Sequence, residues 1–230
     1  MNQSDRCRAF PMFGTDTRNI SIKKLKKDGS IDWSLVEEIA DHIKSGKKVL
    51  IPLDSIYGII CLATTPTDEL GSLADEKETN IVRIISSFKM IDDIAIISKL
   101  EFDFLHRIWP GELIVYLKDM DFPGRVIPVR IPKSKYIQDI ITIVDKPLLF
   151  SHIYCREKNK KRLIYKKKEI YDLFRGKVDL IVTIDEFCKS HTLPTIIDIS
   201  EGTLSIINKG RVSTDEIKSL YFLGKDDSAE

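Results

Sequence analysis

The chain has 230 residues, 43% of them apolar and 31% charged, with 36 Lys and Arg against 35 Asp and Glu for a formal charge of +1. That is enough apolar material for one large core and excludes a disordered composition, and any preference for anionic partners has to come from local clustering. No run is long enough to cross a bilayer, and Cys7, Cys61, Cys155 and Cys188 share no metal-ligand spacing with each other or with the four histidines; a soluble cytoplasmic protein with reduced thiols, no membrane contact and no Cys/His metal site is expected.

In chain order, residues 1–20 read as a loosely attached arm, 21–218 as a single domain and 219–230 as a tail. Residues 21–30 alternate apolar and basic side chains up to a Gly turn, which suits an edge strand. Ile31, Leu35, Ile39 and Ile43 then draw one stripe on a helix, with Ser30 or Asp32 as cap and Gly46 at the exit. The run Val49-Leu50-Ile51-Pro52 reads as a short buried strand that stops at Pro52, which has no amide proton for a ladder. After a polar stretch, Ile81, Ile84, Ile85 and Phe88 predict a helix from about Asn80. Residues 94–98 predict a strand, and residues 104–119 a helix end broken at Pro110-Gly111 and followed by a strand. Residues 126–132 predict another strand, 134–144 a capped helix, 146–151 a strand, 166–177 a helix ending at Gly176 and 178–184 a strand. Residues 195–208 predict a hairpin on the two-residue turn Glu201-Gly202. Helices and strands alternate without an internal repeat, so the fold class is mixed α/β.

The polar residues Asp54 and Ser55, followed by Tyr57-Gly58, stand at a strand end, where α/β proteins meet their ligands. Short polar residues at such a place also satisfy turn amides, and both roles fit the pattern. Taken in order, IPLDSIYGI (51–59), RIISSFK (83–89), WPGELIVYL (109–117), IPVRIP (127–132), KPLLFS (146–151), VDLIV (178–182) and TIIDIS with LSIINKG (195–210) resemble the YrdC-like family, which contains the threonylcarbamoyl-AMP synthases and their YciO-type relatives. The resemblance runs from about residue 30 to 215. It implies an open, twisted mixed sheet with flanking helices around a wide concave cavity. It also implies use of ATP with Mg2+, threonine and bicarbonate to form threonylcarbamoyl-adenylate, a nucleotidyltransferase reaction that serves tRNA modification, with tRNA or the tRNA threonylcarbamoyl-transfer proteins as partners. The longer family members carry a further C-terminal domain, for which a chain ending at Glu230 leaves no room.

Carried over position by position, the resemblance assigns substrate or nucleotide binding to Asp54, Ser55, Tyr57, Lys89, Arg130, Ser151, Thr195, Asn208 and Lys209. Several positions depart from the family pattern. Leu53 replaces a Thr, Met90 falls where a Lys-x-Arg pair needs its second cation, and His152 and Tyr154 replace the Ser and Asn of Thr-Ser-Ala-Asn. Ile114 replaces a Thr, and Asn208 an Arg, with Lys209 and Arg211 beside it. Met cannot supply a bidentate fork. Loss of several donors together predicts weak or absent adenylate formation, with Leu53, Met90 and Tyr154 filling the cavity. Two readings follow: a divergent synthase, or a non-catalytic YciO-like protein that binds nucleotide or RNA.

Arg130, alone between Val129 and Ile131, is costly to bury without an anion or carboxylate against it. A ligand would leave stability nearly unchanged in Arg130→Ala; a structural ion pair would not. The basic run that includes Lys160, Lys161, Arg162, Lys166, Lys167 and Lys168 around Tyr165 suits a nucleic-acid backbone with one stacking surface, or equally a solvated face.

Overall fold

The computed structural model describes residues 16–54, 56–122, 124–157, 160–185 and 192–226. Their first half runs β1 (Arg18–Ile22), α1 (Trp33–Lys44), β2 (Val49–Leu53), β3 (Ile56–Leu62), α2 (Thr67–Ala74), β4 (Val82–Ile84), β5 (Ala95–Ile96), α3 (Lys99–Ile108) and β6 (Leu113–Asp119). The second half runs β7 (Val126–Arg130), α4 (Lys135–Val144), β8 (Leu148–His152), β9 (Tyr154–Glu157), β10 (Lys160–Leu163), α5 (Lys167–Phe174), β11 (Leu180–Ile184), β12 (Thr195–Asp198), β13 (Ser205–Asn208) and α6 (Thr214–Asp226). One mixed sheet orders its strands β1-β11-β2-β3-β8-β4-β7-β6-β12-β13, with β5 also on β6, while β9 and β10 pair only with each other. The mixed α/β class expected from the alternation is the one found.

Two apolar clusters fill it. One lies around α1, α4 and α5 and the β1 to β8 part of the sheet; the other lies around α3 and α6 and strands β6, β7 and β12. Their helices form for local reasons. Val36, Ile39, Ala40 and Ile43 bury the stripe of α1, and α3 opens with a reciprocal cap between Ser98 and Glu101.

The differences from the sequence expectations are instructive. Residues 82–84 form a strand instead of a helix, because the segment lies between β7 and β8 and buries Ile81, Val82, Ile84 and Ile85 on either side of the partly exposed Arg83. The strand containing Pro52 does not stop there; β2 turns through Asp54 into β3, a hairpin in which Pro52 pairs with Tyr57. Pro52 is tolerated because β11, on the other side of β2, pairs only with Val49 and Leu50. The polar stretch after residue 62 holds α2, whose first turn carries Asp68 and Glu69 where the helix dipole favours them. The last hairpin is joined through residues 199–204 and not by a two-residue turn.

Domain boundaries also move. The expected strand of residues 21–30 begins at Arg18 and ends at Ile22, so the arm of residues 1–20 gives up its last three to β1. The tail of residues 219–230 gives up its start to α6, whose Tyr221 is buried and donates to the Gly202 carbonyl at 2.8 Å. Cys155 is disulfide-bonded, which corrects the expectation of reduced thiols, and Cys61 is a buried free thiol. No helix among the described residues is long and apolar enough to cross a membrane.

Gly58 is required by packing. A Cβ there would fall 2.2 Å from the Phe150 ring and 2.5 Å from the Ser151 carbonyl of the neighbouring β8. Gly58→Ala is therefore expected to cost at least the roughly 1–3 kcal/mol of an overpacked core, read as a lower urea midpoint with an unchanged slope. An unaltered midpoint would show that β3 and β8 part freely at this point.

Candidate functional site

The β2–β3 hairpin delivers three side chains to one end of the sheet: Leu53, Asp54 and Ile56. Arg130 at the end of β7 and His152 at the end of β8 meet them there, and Glu112, Pro194 and Arg211 arrive from neighbouring loops. Together they line a narrow cleft whose free interior is about 10 Å3, roughly the space of one water. The wide cavity implied by the resemblance is therefore closed down at this point.

Asp54 organises the floor. It sits at φ 54°, a left-handed conformation that Asp tolerates when its side chain bonds locally. Its Oδ1 accepts from the Ser134 amide at 2.8 Å and the Ser134 hydroxyl at 2.7 Å, and its own amide donates to the Ser134 hydroxyl at 2.8 Å. The capping role expected of Ser134 is thus changed: its hydroxyl makes no cap within α4, and its amide and hydroxyl both donate to Asp54. Oδ2 of Asp54 accepts from Nη2 of Arg130. Arg130 is 3% exposed, and its Nε donates to the Gly111 carbonyl at 2.8 Å. Burial lowers the guanidinium's pKa, and the Asp54 carboxylate works against that shift. Of the two roles open to Arg130 from sequence, a structural pair with an acidic neighbour is present, and the residue also lines the cleft.

A second ion pair stands above the first. Arg211 Nη1 lies 2.7 Å from Glu112 Oε1. Arg211 is held in place by Thr195, whose hydroxyl donates to the Val212 carbonyl at 2.8 Å and accepts the amides of Gly210 and Val212 at 3.0 Å each. Thr195 therefore positions a loop and does not line the cleft. Gly210 permits the close approach, since a Cβ there would meet the Leu193 carbonyl at 2.4 Å.

The other expected residues are dispersed. Tyr57 is buried in the core, where it accepts from the Ile184 amide at 3.4 Å and burial pushes its phenol up to about 12. Ser151 is fully buried beside Ile59, away from the cleft. Lys89 is exposed on the turn Phe88–Ile91, and Asn208 and Lys209 are exposed at the end of β13; none of the three lines the cleft. Ser55 lies outside the described residues. Of Leu53, Met90 and Tyr154, expected to fill the cavity together, only Leu53 lines the cleft. Met90 packs against both apolar clusters, and Tyr154 holds Glu76 while Lys161 lies 4.8 Å from its ring centre. Sequence reasoning did not single out Ser134, Glu112, Ile56 or Pro194 as site residues.

The basic run forms the β9–β10 hairpin and the start of α5. Lys161 pairs with Glu76 at 3.2 Å, Arg162 with Glu169, and Lys167 with Asp185. Lys166 and Lys168 are exposed, and Lys160 lies on β10. Three of the six cations are thus engaged within the chain, which weakens a nucleic-acid role.

His152 is 6% exposed and lines the cleft, and burial followed by the nearby Arg130 charge lowers its pKa from 6.5 to about 4. The folded state therefore holds it neutral where the unfolded chain would take up a proton. Stability from this source is complete above pH 6.5 and is lost as pH falls toward 4, by up to about 1.4 kcal/mol per pH unit. Urea unfolding at pH 7 and pH 5 should differ by about 2 kcal/mol from this group, and His152→Gln should remove that part of the difference. An equal difference in the variant would assign the pH effect to other groups.

Residues 41–210 match the Sua5/YciO/YrdC family model, which carries the description "Telomere recombination". Among solved structures, E. coli YciO superposes with a TM-score of 0.74 at 16% identity, covering 87% of this chain and 99% of its own. P. abyssi Sua5 complexed with L-threonine gives 0.73 at 20% identity, covering 89% of this chain and 61% of its own. The H234A/Y235A form of P. abyssi Sua5 gives 0.73 at 19% identity, over 88% and 63%. The chain thus spans about three fifths of the length of those Sua5 proteins. No curated protein matches it.

Proposed function

The chain belongs to the Sua5/YciO/YrdC family, and from that premise we propose that it is a divergent threonylcarbamoyl-AMP synthase-like protein that has lost most adenylate-forming activity. The observation that carries this reading is the charge state of the cleft. Both of its cations, Arg130 and Arg211, are already held by carboxylates of the same chain, Asp54 and Glu112. Phosphoryl and carbamoyl oxygens need oriented cations, and here they would have to displace internal partners first.

ATP with Mg2+ fits these residues only in part. The cleft's four charges sum to zero, and neither Lys89 nor Lys209, both exposed, lines it. No group of three or more His, Cys, Asp or Glu among the described residues could hold a metal ion, although Mg2+ usually arrives on phosphates with few protein ligands. We therefore assign ATP a weakened binding role. The amino-acid role is supported by the shared fold with Sua5 of P. abyssi, which has been crystallised with L-threonine.

The test is pyrophosphate release from ATP by the purified protein with threonine and bicarbonate, run beside direct amino-acid binding. Binding without appreciable pyrophosphate release is expected. Release at the rates of ordinary enzymes would overturn the reading, and absence of both activities would remove the amino-acid role.

A further inference from the structure

Strands β1, β11 and β2 run parallel and finish at the same end, and helices α1, α4 and α5 start beside it. The Ile22 carbonyl at the end of β1 accepts the Asp185 amide at 2.9 Å, and Asp185 pairs with Lys167 at the start of α5. The Asp54 amide after β2 donates to Ser134 at the start of α4. The turn of residues 26–30 leads into α1 and also meets α4, where a Cβ on Gly29 would lie 3.9 Å from that of Lys135. Lysines therefore gather at one end of this layer from the turn after β1, the start of α4 and the start of α5.

Pairing within the chain does not account for them. Lys26, Lys135 and Lys167 meet Asp32, Asp139 and Asp185, and Asp28 is held by the amide and hydroxyl of Ser30. Among the described residues, Lys23, Lys27, Lys133, Lys166 and Lys168 are exposed and make no ion pair. Cations at the start of α4 and α5 stand where the helix dipole disfavours them, so helix stability does not explain their presence. The chain as a whole carries only +1, which makes this end a local positive face. At its rim is Trp33, the first residue of α1 and next to Asp32, the partner of Lys26. Its Nε1 donates to Glu37 at 3.0 Å, while the residue is 55% exposed and leaves much of its ring in water.

We propose that this end lies on an anionic membrane surface, with the unpaired lysines against phospholipid headgroups and the Trp33 indole in the interfacial layer. Lying on a bilayer needs no spanning run, and in such binding charge attraction and buried apolar area add. Among the described residues the unpaired cations of this end are all lysines, and its one exposed ring is Trp33. That suits a diffuse negative plane, whereas a nucleic-acid strand favours a groove with arginine forks and successive stacking rings. The proposal does not depend on the Arg130 cleft.

Co-sedimentation of the intact chain with vesicles of phosphatidylcholine, alone or with about one third phosphatidylserine, tests it. Binding to the anionic vesicles and not to the neutral ones is expected, and it should disappear near 1 M salt, where charges are screened beyond about 3 Å. Each lysine at the surface is worth about fivefold, so Lys23→Gln with Lys27→Gln should weaken binding by about 25-fold, and Lys133→Gln with Lys166→Gln by a similar factor. Lys44→Gln with Lys47→Gln removes the same charge at the other end of α1, roughly 18 Å away, and should change binding by less than about twofold. Trp109 is buried, so a blue shift of indole emission on the vesicles and its quenching by brominated lipid report Trp33. Trp33→Ala should abolish both signals and weaken binding by about 3- to 10-fold. Equal binding to the two vesicles, no binding to either, or an equal loss in the far-end variant would overturn the proposal. Binding to an oligouridylate strand with the same lysine dependence, and none to anionic vesicles, would give this face to nucleic acid and overturn it too. Unshifted emission on bound vesicles would overturn the place assigned to the indole.

Discussion

Arg130→Ala should destabilise the chain by about 3–5 kcal/mol, because it leaves Asp54 as an uncompensated carboxylate in a buried site. The side chains of the pair are 3% and 6% exposed, so neither can recover its partner's contribution from water. The Arg130 contact to Gly111 is lost at the same time, and that contact ties the β7 end to the Pro110-Gly111 turn. For a domain of this size each kcal/mol moves the melting temperature by roughly 2–4 °C, so a fall of about 10 °C is expected. The sequence, read with Arg130 facing a ligand, predicts almost no change; the Asp54 contact reverses that expectation. Replacing both partners, Asp54→Asn with Arg130→Met, should recover much of the loss, since a buried pair exchanged for neutral groups of similar volume is often tolerated. A single variant that melts with the parent would show that the pair contributes nothing to the fold.

Asp54 and Arg130 also show where sequence reasoning succeeds and where it ends. Both were legible as functional candidates, because a polar residue at a strand end and a lone Arg in an apolar strand are each physically expensive. Their partnership was not, since they are separated by 76 positions and nothing local couples them. Ser134 reads as a cap because Ser before an apolar-periodic run usually is one; its hydroxyl bonds to Asp54 instead, 80 positions away in the chain. Glu112 follows a Pro-Gly turn and carries no local signal; only the approach of the 210 loop gives it Arg211. The fold was more legible than the site because periodicity reports burial, and burial decides elements. Residues 82–84 are the exception that fits the rule: the β-branched residues on either side of Arg83 are spaced like one face of a helix, and only their place between β7 and β8 makes them a strand.

Threonylcarbamoyl-adenylate formation by the purified chain should be slower than that of an ordinary enzyme by about two to four decades. Arg130 and Arg211 are the cations the cleft offers, and each is engaged by a carboxylate, so two charged hydrogen bonds to reacting oxygens are forfeited at roughly 1.5–3 kcal/mol each. At about 1.4 kcal/mol per decade the sum is two to four decades if the losses add, and fewer if the groups act as a unit. Leu53 removes a further neutral contact. Against a usual range of roughly 1 to 1,000 per second, turnover of about 0.01 per second or less is expected with threonine. The variants discriminate the cause. Leu53→Thr places a hydroxyl in the cleft wall and should raise the rate by up to about tenfold, the worth of one neutral hydrogen bond. Met90→Arg and Tyr154→Asn should not raise it, because Met90 fills the seam between the two apolar clusters and Tyr154 braces Glu76 and Lys161. Rate gains from those two variants would place the reacting oxygens elsewhere than the Arg130 cleft, and turnover near 1 per second in the parent would mean that the internal carboxylates yield readily to substrate.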